Sequence, residues 1–256
     1  MQAREEILKH VNNPKALFVA NHSGGKDSQA LLIWMTENLP LNQIVVVHAS
    51  LGELEWHGAK EHAQKQAEDL GLPFIVAVAK RSLFEMVEQR FEKRPEVPSW
   101  PSSAQRQCTS DLKRGPIQRE VRRYGDANGF DTIVNCLGIR GEESAARAKR
   151  VDWQLSKTQT NTKRTWYEAN PIHDWTVAQV FGAIEEAGQK PHYAYELGND
   201  RLSCVFCIMG SANDIANGAR QRPELFDKYV ALEEKTGYTM HQSRKSLKEL
   251  VAEATV

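Results

Sequence analysis

Apolar residues fall along this chain in short runs, separated by stretches where they recur at helical spacing. Residues 16–20 (ALFVA), 44–48 (IVVVH) and 74–78 (FIVAV) are continuous apolar or β-branched runs, the pattern of strands buried on both faces. Residues 132–137 (TIVNCL) and 166–170 (WYEAN) are read the same way, the second closed by Pro171. Between the runs lie amphipathic stretches. They cover Ser28 to Asn38, closed by Pro40; 58–70, ended by Gly71; 82–92; and 110–123. This alternation predicts an α/β fold: a doubly wound, mostly parallel five-stranded sheet with helices on both faces. From Trp175 onward the pattern is mostly helical, broken by Pro191–Gly210. The expected division is an α/β domain over 1–172 and a C-terminal helical subdomain over 173–256. Within the latter, residues 223–236 predict an amphipathic helix that packs Leu225, Tyr229 and Leu232 onto the sheet, with a dimer interface as the alternative.

Two segments lack periodicity. Arg94–Gln107 carries Pro95, Pro98 and Pro101 and reads as an ordered loop or flap. Gly138–Thr165 carries Arg140, Arg147, Lys149, Arg150, Lys157, Lys163 and Arg164 against Glu142, Glu143 and Asp152, and reads as a basic, active-site-like loop.

Composition narrows the function classes. The chain has 256 residues, enough to bury a sizeable core, and 41% of them are hydrophobic. No apolar run approaches the roughly 20 residues of a membrane span, so no membrane role is expected. Lys+Arg and Asp+Glu both number 33, which argues against a protein that coats nucleic acid through its overall charge. The first ten residues, MQAREEILKH, hold no apolar signal core, and four cysteines are too few for a disulfide scaffold. A cytoplasmic location is expected.

The sharpest motif is Asn21-His22-Ser23-Gly24-Gly25-Lys26-Asp27-Ser28, placed between the first predicted strand and the first predicted helix. Gly24 and Gly25 permit close backbone approach, and N–H groups at the following helix start can hold an anion. Ser23 and Ser28 add hydroxyls, Lys26 a positive charge, and Asp27 an oxygen ligand for Mg²⁺. The Walker A and GxGxxG spacings are absent. The alternative is a glycine turn with a Ser or Asp helix cap.

SGGKDS closely resembles the pyrophosphate loop (PP-loop) of the adenine nucleotide alpha-hydrolase superfamily, and within it the chain is most similar to phosphoadenosine phosphosulfate (PAPS) reductase-like proteins. Three further stretches carry the resemblance. His48–Trp56 (HASLGELEW) lies where that family places an adenosine-contacting turn, which implicates His48 and Gly52. Leu137–Ser144 (LGIRGEES) is similar to its GxRxxES segment, which implicates Gly138, Arg140 and Ser144. Asn170–Thr176 (NPIHDWT) is similar to its entry into a late helix. The resemblance implies ATP or PAPS as ligand. Lys26, Asp27 and Arg140 are then the catalytic candidates, and Arg140 suits bidentate binding of a phosphate or sulfate. Arg147, Lys149, Arg150 and Arg164 are candidates for a second anion, either a ribose phosphate or a nucleic-acid backbone. Solvated surface charge is the alternative for each, as it is for Glu142 and Glu143.

Cys204-Val205-Phe206-Cys207 is a CxxC, a spacing that brings two thiolates to one Zn or iron–sulfur centre; a redox pair is the other reading. The segment around it is similar to an iron–sulfur form of the PAPS-reductase-like group. In the related DNA-phosphorothioation sulfurtransferases an upstream cysteine joins the CxxC, and Cys108 fits that role. The resemblance thus implies a [4Fe–4S] cluster on Cys108, Cys204 and Cys207, with Zn²⁺ as the alternative. Cys136 is the candidate fourth ligand, or a buried core thiol. No cysteine follows Cys207, so the C-terminal nucleophile of cluster-free PAPS reductases is missing, as is the Cys-Cys pair of the cluster-bearing ones.

Three functions follow from the resemblance. The first is ATP-pyrophosphatase-type adenylation coupled to sulfur transfer. The second is a sulfonucleotide reductase releasing sulfite, and the third a non-catalytic nucleotide-binding subunit of a DNA-modification or defence assembly. The implied partners are an adenine nucleotide, a nucleic-acid acceptor, and a thioredoxin-like or cysteine-desulfurase donor; an oligomer is compatible with the sequence. Trp56, Trp100, Trp153, Trp166 and Trp175 are candidates to stack on a base, with packing as the commoner fate of such residues.

Overall fold

The computed structural model describes residues 2–202 and 204–254. Six strands form one sheet: β1 (Ala16–Asn21), β2 (Ile44–Ser50), β3 (Phe74–Val78), β4 (Thr132–Cys136), β5 (Trp153–Leu155) and β6 (Thr165–Ala169). Their order is β3-β2-β1-β4-β6-β5. β1 pairs in parallel with β2 and β4, β4 in parallel with β6, and β5 antiparallel with β6. The sheet is therefore doubly wound and mostly parallel, with six strands where the apolar runs predict five. The sixth is three residues long, too short to show alternation; Trp153 stacks on Tyr167 of its neighbour at 4.6 Å.

β1 explains why the strands read as unbroken apolar runs. Ala16, Phe18 and Ala20 pack on one face, with Leu31, Leu32 and Met35 of the helix Lys26–Asn38. Leu17 and Val19 pack on the other, with Val121, Ile133 and Trp166. Both faces are covered, so no polar alternation survives. Each such fully buried Leu or Phe contributes about 1.5–3 kcal/mol.

The chain divides into two compact units, each assembled from three stretches. The first runs to His48 and adds 58–77 and 117–192; the second takes 49–57, 78–116 and the described residues from 193 onward. A single cut at residue 172 does not describe this. Helix Val177–Glu186 belongs to the first unit, where Val180 and Ile184 pack against Ala30 and Ile33. The second unit is built partly from excursions that leave the sheet after β2 and β3, and local periodicity cannot show where an excursion packs.

In the second unit, helix Pro223–Thr236 buries Leu225, Tyr229 and Leu232. The proline-bearing stretch is an ordered part of the same unit, with Ser99 and Trp100 buried and Trp100 stacked on Tyr229 at 5.8 Å. Among the described residues, no helix is long and apolar enough to cross a membrane.

Candidate functional site

β1 ends at Asn21, whose amide donates to Asn135 Oδ1 (2.7 Å) and Cys136 O (2.8 Å), tying the strand end to β4. Residues 22–25 then turn into the helix Lys26–Asn38. Gly24 has φ +81°, and a Cβ there would lie 2.5 Å from Ala59 O. Glycine is required twice over: for the left-handed conformation and for the backbone beside it. Gly138 is needed for a similar reason, since its Cβ would meet Asp27 O at 2.7 Å. Gly25 caps the helix with no side-chain hydrogen bond, so the N–H groups of a 13-residue helix open toward the loop.

The loop's own polar groups are knitted together. Ser28 Oγ accepts from Ser23 N–H (3.1 Å) and donates to Gly25 O (2.8 Å). His22 Nδ1 accepts from Gly24 N–H at 3.0 Å. The proton of its ring therefore sits on Nε2, which donates to Gln66 Oε1 at 2.6 Å. Burial pushes His22 down to about 3, with Gln66 opposing and His62 and His48 adding to the shift. Gln66 in turn donates to Gln189 Oε1 (2.9 Å), which also receives Gln29 Nε2 (2.9 Å). His48 is buried; its Nδ1 donates to His22 O (2.8 Å) and its ring stacks on Phe74. These contacts hold the loop from behind. His22 lies inside the motif and Gln29 directly follows it, but their roles depend on Gln66 and Gln189, which no local pattern joins to the loop.

Asp27 and Arg140 form the charged centre. Arg140 is 2% exposed. Its Nε donates to Asp27 Oδ1 (2.5 Å), and its Nη1 donates to Glu142 Oε2 (2.6 Å) and Trp175 O (3.1 Å). Lys26 Nζ lies 3.5 Å from Asp27 Oδ2 and 6.0 Å from the centre of the Phe181 ring. Both Asp27 oxygens thus face cations. As placed, Asp27 does not fit a Mg²⁺ ligand, because the ion would have to displace a buried guanidinium or the ammonium. Arg140 is likewise committed to carboxylates rather than presented as an open anion fork.

Glu142 and Glu143 are structural rather than merely solvated. Glu142 also accepts from Val177 N–H (2.8 Å), and the bond from Arg140 holds its carboxyl below the usual range. Glu143 Oε2 accepts from Arg140 N–H (3.1 Å) and pairs with Arg147. Ser144 Oγ caps the short helix Ala145–Ala148 by accepting from Arg147 N–H (3.2 Å).

The other basic residues of this stretch do not gather here. Arg164 pairs with Asp126 at 2.6 Å, just before β6. Because β6 runs parallel to β4, and β4 to β1, that point lies at the opposite edge of the sheet from the loop after β1. Lys149 and Arg150 are exposed. The tryptophans are packing residues: Trp56, Trp100 and Trp166 are buried, Trp153 stacks on Tyr167, and Trp175 lies against the core with Arg4 over its ring.

The thiols and Gly52 belong to the second unit, and Cys136 to the first. The CxxC is anchored by a bridge from Cys204 to Glu55 and by Val205 N–H to Leu54 O (2.9 Å). Val205 and Phe206 are buried, so the partly buried Cys204 and Cys207 flank two inward-packed side chains. Cys108 sits in the turn Gln107–Thr109, and Lys113 in the π-helical turn Ser110–Arg114 that follows. Cys204 raises the Lys113 ammonium above its usual value, against desolvation, and Cys207, Cys108 and Glu55 add to the rise. Burial moves Cys204 up to about 11, with Lys113 pulling the other way. The three thiols and Lys113 thus act on one another electrostatically within the second unit. Tyr229 is raised by burial first and then by the same three thiols. Its ring packs on Phe206 at 5.2 Å, and Tyr229 Oη and Trp100 Nε1 are buried with no hydrogen-bond partner among the described residues. Cys136 lies in β4 within the apolar core, where burial raises its thiol strongly. It is a core residue, separate in its surroundings from the three that share Lys113. Among the described residues, no group of three His, Cys, Asp or Glu side chains is arranged to hold a single metal ion.

A glycine loop between the first strand of a parallel sheet and the helix that follows, at the strands' C-terminal edge, defines an open α/β protein with a phosphate-loop site of the PP-loop type. The chain belongs to the phosphoadenosine phosphosulfate reductase domain family, whose model matches residues 18–209. It is 27% identical over 125 residues to an uncharacterised 37.8 kDa protein of Escherichia phage 186, covering 49% of this chain and 36% of that protein. It is 25% identical over 208 residues to an uncharacterised protein of Methanocaldococcus jannaschii, covering 81% of this chain and 39% of that one. The chain thus spans well under half the length of both relatives. Among solved structures, a phosphate complex of the PAPS reductase of Candida auris is similar in fold, with a TM-score of 0.50 and 16% identity over 79% of this chain and 88% of that one.

Proposed function

We propose that this protein is a PP-loop enzyme that adenylates an acceptor with ATP and couples that step to sulfur transfer. The observation that carries the reading is the pair of chemistries in one chain: a phosphate loop built on Gly24, and three cysteines gathered around Lys113. In this reaction the acceptor oxygen attacks the α-phosphorus. A new P–O bond forms as the bond to the β-phosphate oxygen breaks, and pyrophosphate leaves. Loop N–H groups and Lys26 offset the leaving charge, while Arg140 holds Asp27 so that Lys26 keeps its place. A cysteine-desulfurase donor delivers sulfur as a persulfide, and a thioredoxin-like dithiol reduces its S–S bond, becoming a disulfide and releasing hydrosulfide. The hydrosulfide attacks the activated carbon, and AMP leaves with the original acceptor oxygen. A nucleic-acid acceptor and a cysteine-desulfurase or thioredoxin-like donor belong to this proposal.

An iron–sulfur cluster fits the thiol site on two counts. Three thiols share one ammonium that offsets anionic charge, and the buried Tyr229 hydroxyl and Trp100 N–H lack acceptors that inorganic sulfide would provide. Cys108, Cys204 and Cys207 would hold it, and it would supply a sulfur-handling centre. Zn²⁺ on the same cysteines is the alternative, and metal analysis of the purified protein separates the two. The test is ATP–pyrophosphate turnover with candidate acceptors, using protein purified without oxygen. ATP binding with no turnover for any acceptor class rejects the reading.

The family match favours a second reading, reduction of a sulfonucleotide. Sulfite release from PAPS or adenosine phosphosulfate with a reduced thioredoxin-like donor identifies it, and its absence with both substrates rejects it.

A further inference from the structure

An open basic groove lies in the first unit, at the edge of the sheet opposite the glycine loop. One wall is helix Gly115–Asn128, which contributes Arg119, Arg122 and Arg123; the other is residues 161–164, and together they border about 580 Å³. Five cations line it, counting Lys163 and Arg164, and Asp126 and the adjacent Glu120 oppose them. The whole chain is neutral, so this excess is local.

The groove is a built feature rather than a fringe of mobile charges. Arg164 is buried at its floor and fixed by Asp126 at 2.6 Å. Arg122 Nη1 donates to Gln159 Oε1 at 2.7 Å, which locks the helix to the opposite wall. Above them, the Arg123 side chain is 72% exposed, and the exposed Lys163 makes no ion pair among the described residues. Arg119 and Arg123 are one turn apart, about 6 Å along the helix axis. A nucleic-acid strand carries a charge about every 3.4 Å, so such a row meets about every second phosphate. Asn161 and Thr162 add neutral donors of the kind that bond phosphate and sugar oxygens. None of the exposed large apolar residues lines the groove, which argues against a lipid surface.

We propose that this groove docks the phosphodiester backbone of a nucleic-acid strand. It deepens the nucleic-acid acceptor of the proposed reaction without depending on that reaction. A strand held here is anchored at the edge of the sheet remote from the loop, so the groove positions the partner rather than reacting with it.

The test is fluorescence anisotropy of a labelled single-stranded oligonucleotide and its duplex with the full chain over a range of salt. The double variant Arg123→Gln, Lys163→Gln removes two exposed charges and leaves the Arg164–Asp126 floor intact. We expect affinity to fall about tenfold and the slope of log affinity against log salt to shrink by about 1.5. The thermal midpoint and ATP binding should stay unchanged. No oligonucleotide binding at low salt, or a variant with wild-type affinity and slope, overturns the proposal. So does binding of inorganic polyphosphate or anionic vesicles in place of the oligonucleotide. Oligonucleotide binding without ATP binding in the wild type would reject the loop reading while supporting the groove.

Discussion

The imidazole of His22 accepts the backbone N–H of Gly24 at 3.0 Å, so the phosphate loop is held by a ring that must stay neutral. Burial keeps His22 unprotonated down to about pH 3, whereas in the unfolded chain it takes up a proton near pH 6.5. Between those values the unfolded state binds more protons, and stability falls as pH falls. From pH 7 to pH 5 the loss from this residue is about 2 kcal/mol. His62, also lowered by burial, adds in the same direction. Urea unfolding at the two pH values should show a smaller loss in His22→Asn, whose amide oxygen can still accept from Gly24. Equal losses in the two proteins would mean that His22 is not held neutral.

Gly24→Ala places a methyl 2.5 Å from Ala59 O at φ +81°. The expected cost is about 1–3 kcal/mol of strain, with loss of ATP binding. Gly52 also has positive φ but meets nothing within 4 Å, so Gly52→Ala should cost only the backbone term, about 1–2 kcal/mol. Chemical denaturation and nucleotide titration of the two variants separate steric from conformational demand.

Arg140→Ala leaves Asp27 beside Lys26 and leaves Glu142 with the Val177 N–H. Asp27 and Glu142 both keep access to solvent, so the expected cost is about 1–3 kcal/mol, from the lost charge-assisted hydrogen bonds and the space left by the buried side chain. Arg140→Lys should recover only part of this, because one ammonium cannot reproduce bonds to Asp27, Glu142 and Trp175 O. Full recovery in a denaturation curve would show that charge alone matters.

Anaerobically purified protein should carry iron and acid-labile sulfide, lost in Cys108→Ser, Cys204→Ser and Cys207→Ser. Cys136→Ala should keep both while losing some stability, since its thiol sits in the core of the first unit. Iron retained in the first three variants, or lost only in the fourth, would reverse the assignment.

Tyr229→Phe offers a test of what the buried hydroxyl faces. Without a bound group, an unsatisfied buried hydroxyl costs about 1–3 kcal/mol, so the iron-free variant should equal or exceed wild type in stability. With iron bound, the variant should instead lose iron faster to a chelator. Equal chelation rates would mean that the hydroxyl does not face the centre.

Much of this was legible in the chain. β1, β2 and β4 were readable because they are covered on both faces, which leaves continuous apolar runs, and β3 keeps such a run although Val76 and Val78 are exposed at the edge of the sheet. The sixth, Trp153–Leu155, is held by pairing and one aromatic stack, and carries no period of its own. The loop was legible because its backbone demands glycine where the chain has positive φ beside Ala59, and because its polar residues are contiguous in the chain. The partners of those residues were not. That Arg140 turns to Asp27, that His22 turns to Gly24 and Gln66, and that Arg164 stands at the far edge of the sheet all depend on where distant strands end.

The sequence by itself determined the α/β alternation, the glycine loop and the cysteine spacing, because each is a local pattern of residue types along the chain. Only the tertiary structure decided the rest. It assigned 49–57 and 78–116 to the second unit, put Cys136 in the core, and brought Cys108 and Cys204 to one lysine. Those outcomes follow from packing and charge between residues far apart in the chain, such as Leu54 and Val205, which are hydrogen-bonded across 151 positions, and no local period records such distances.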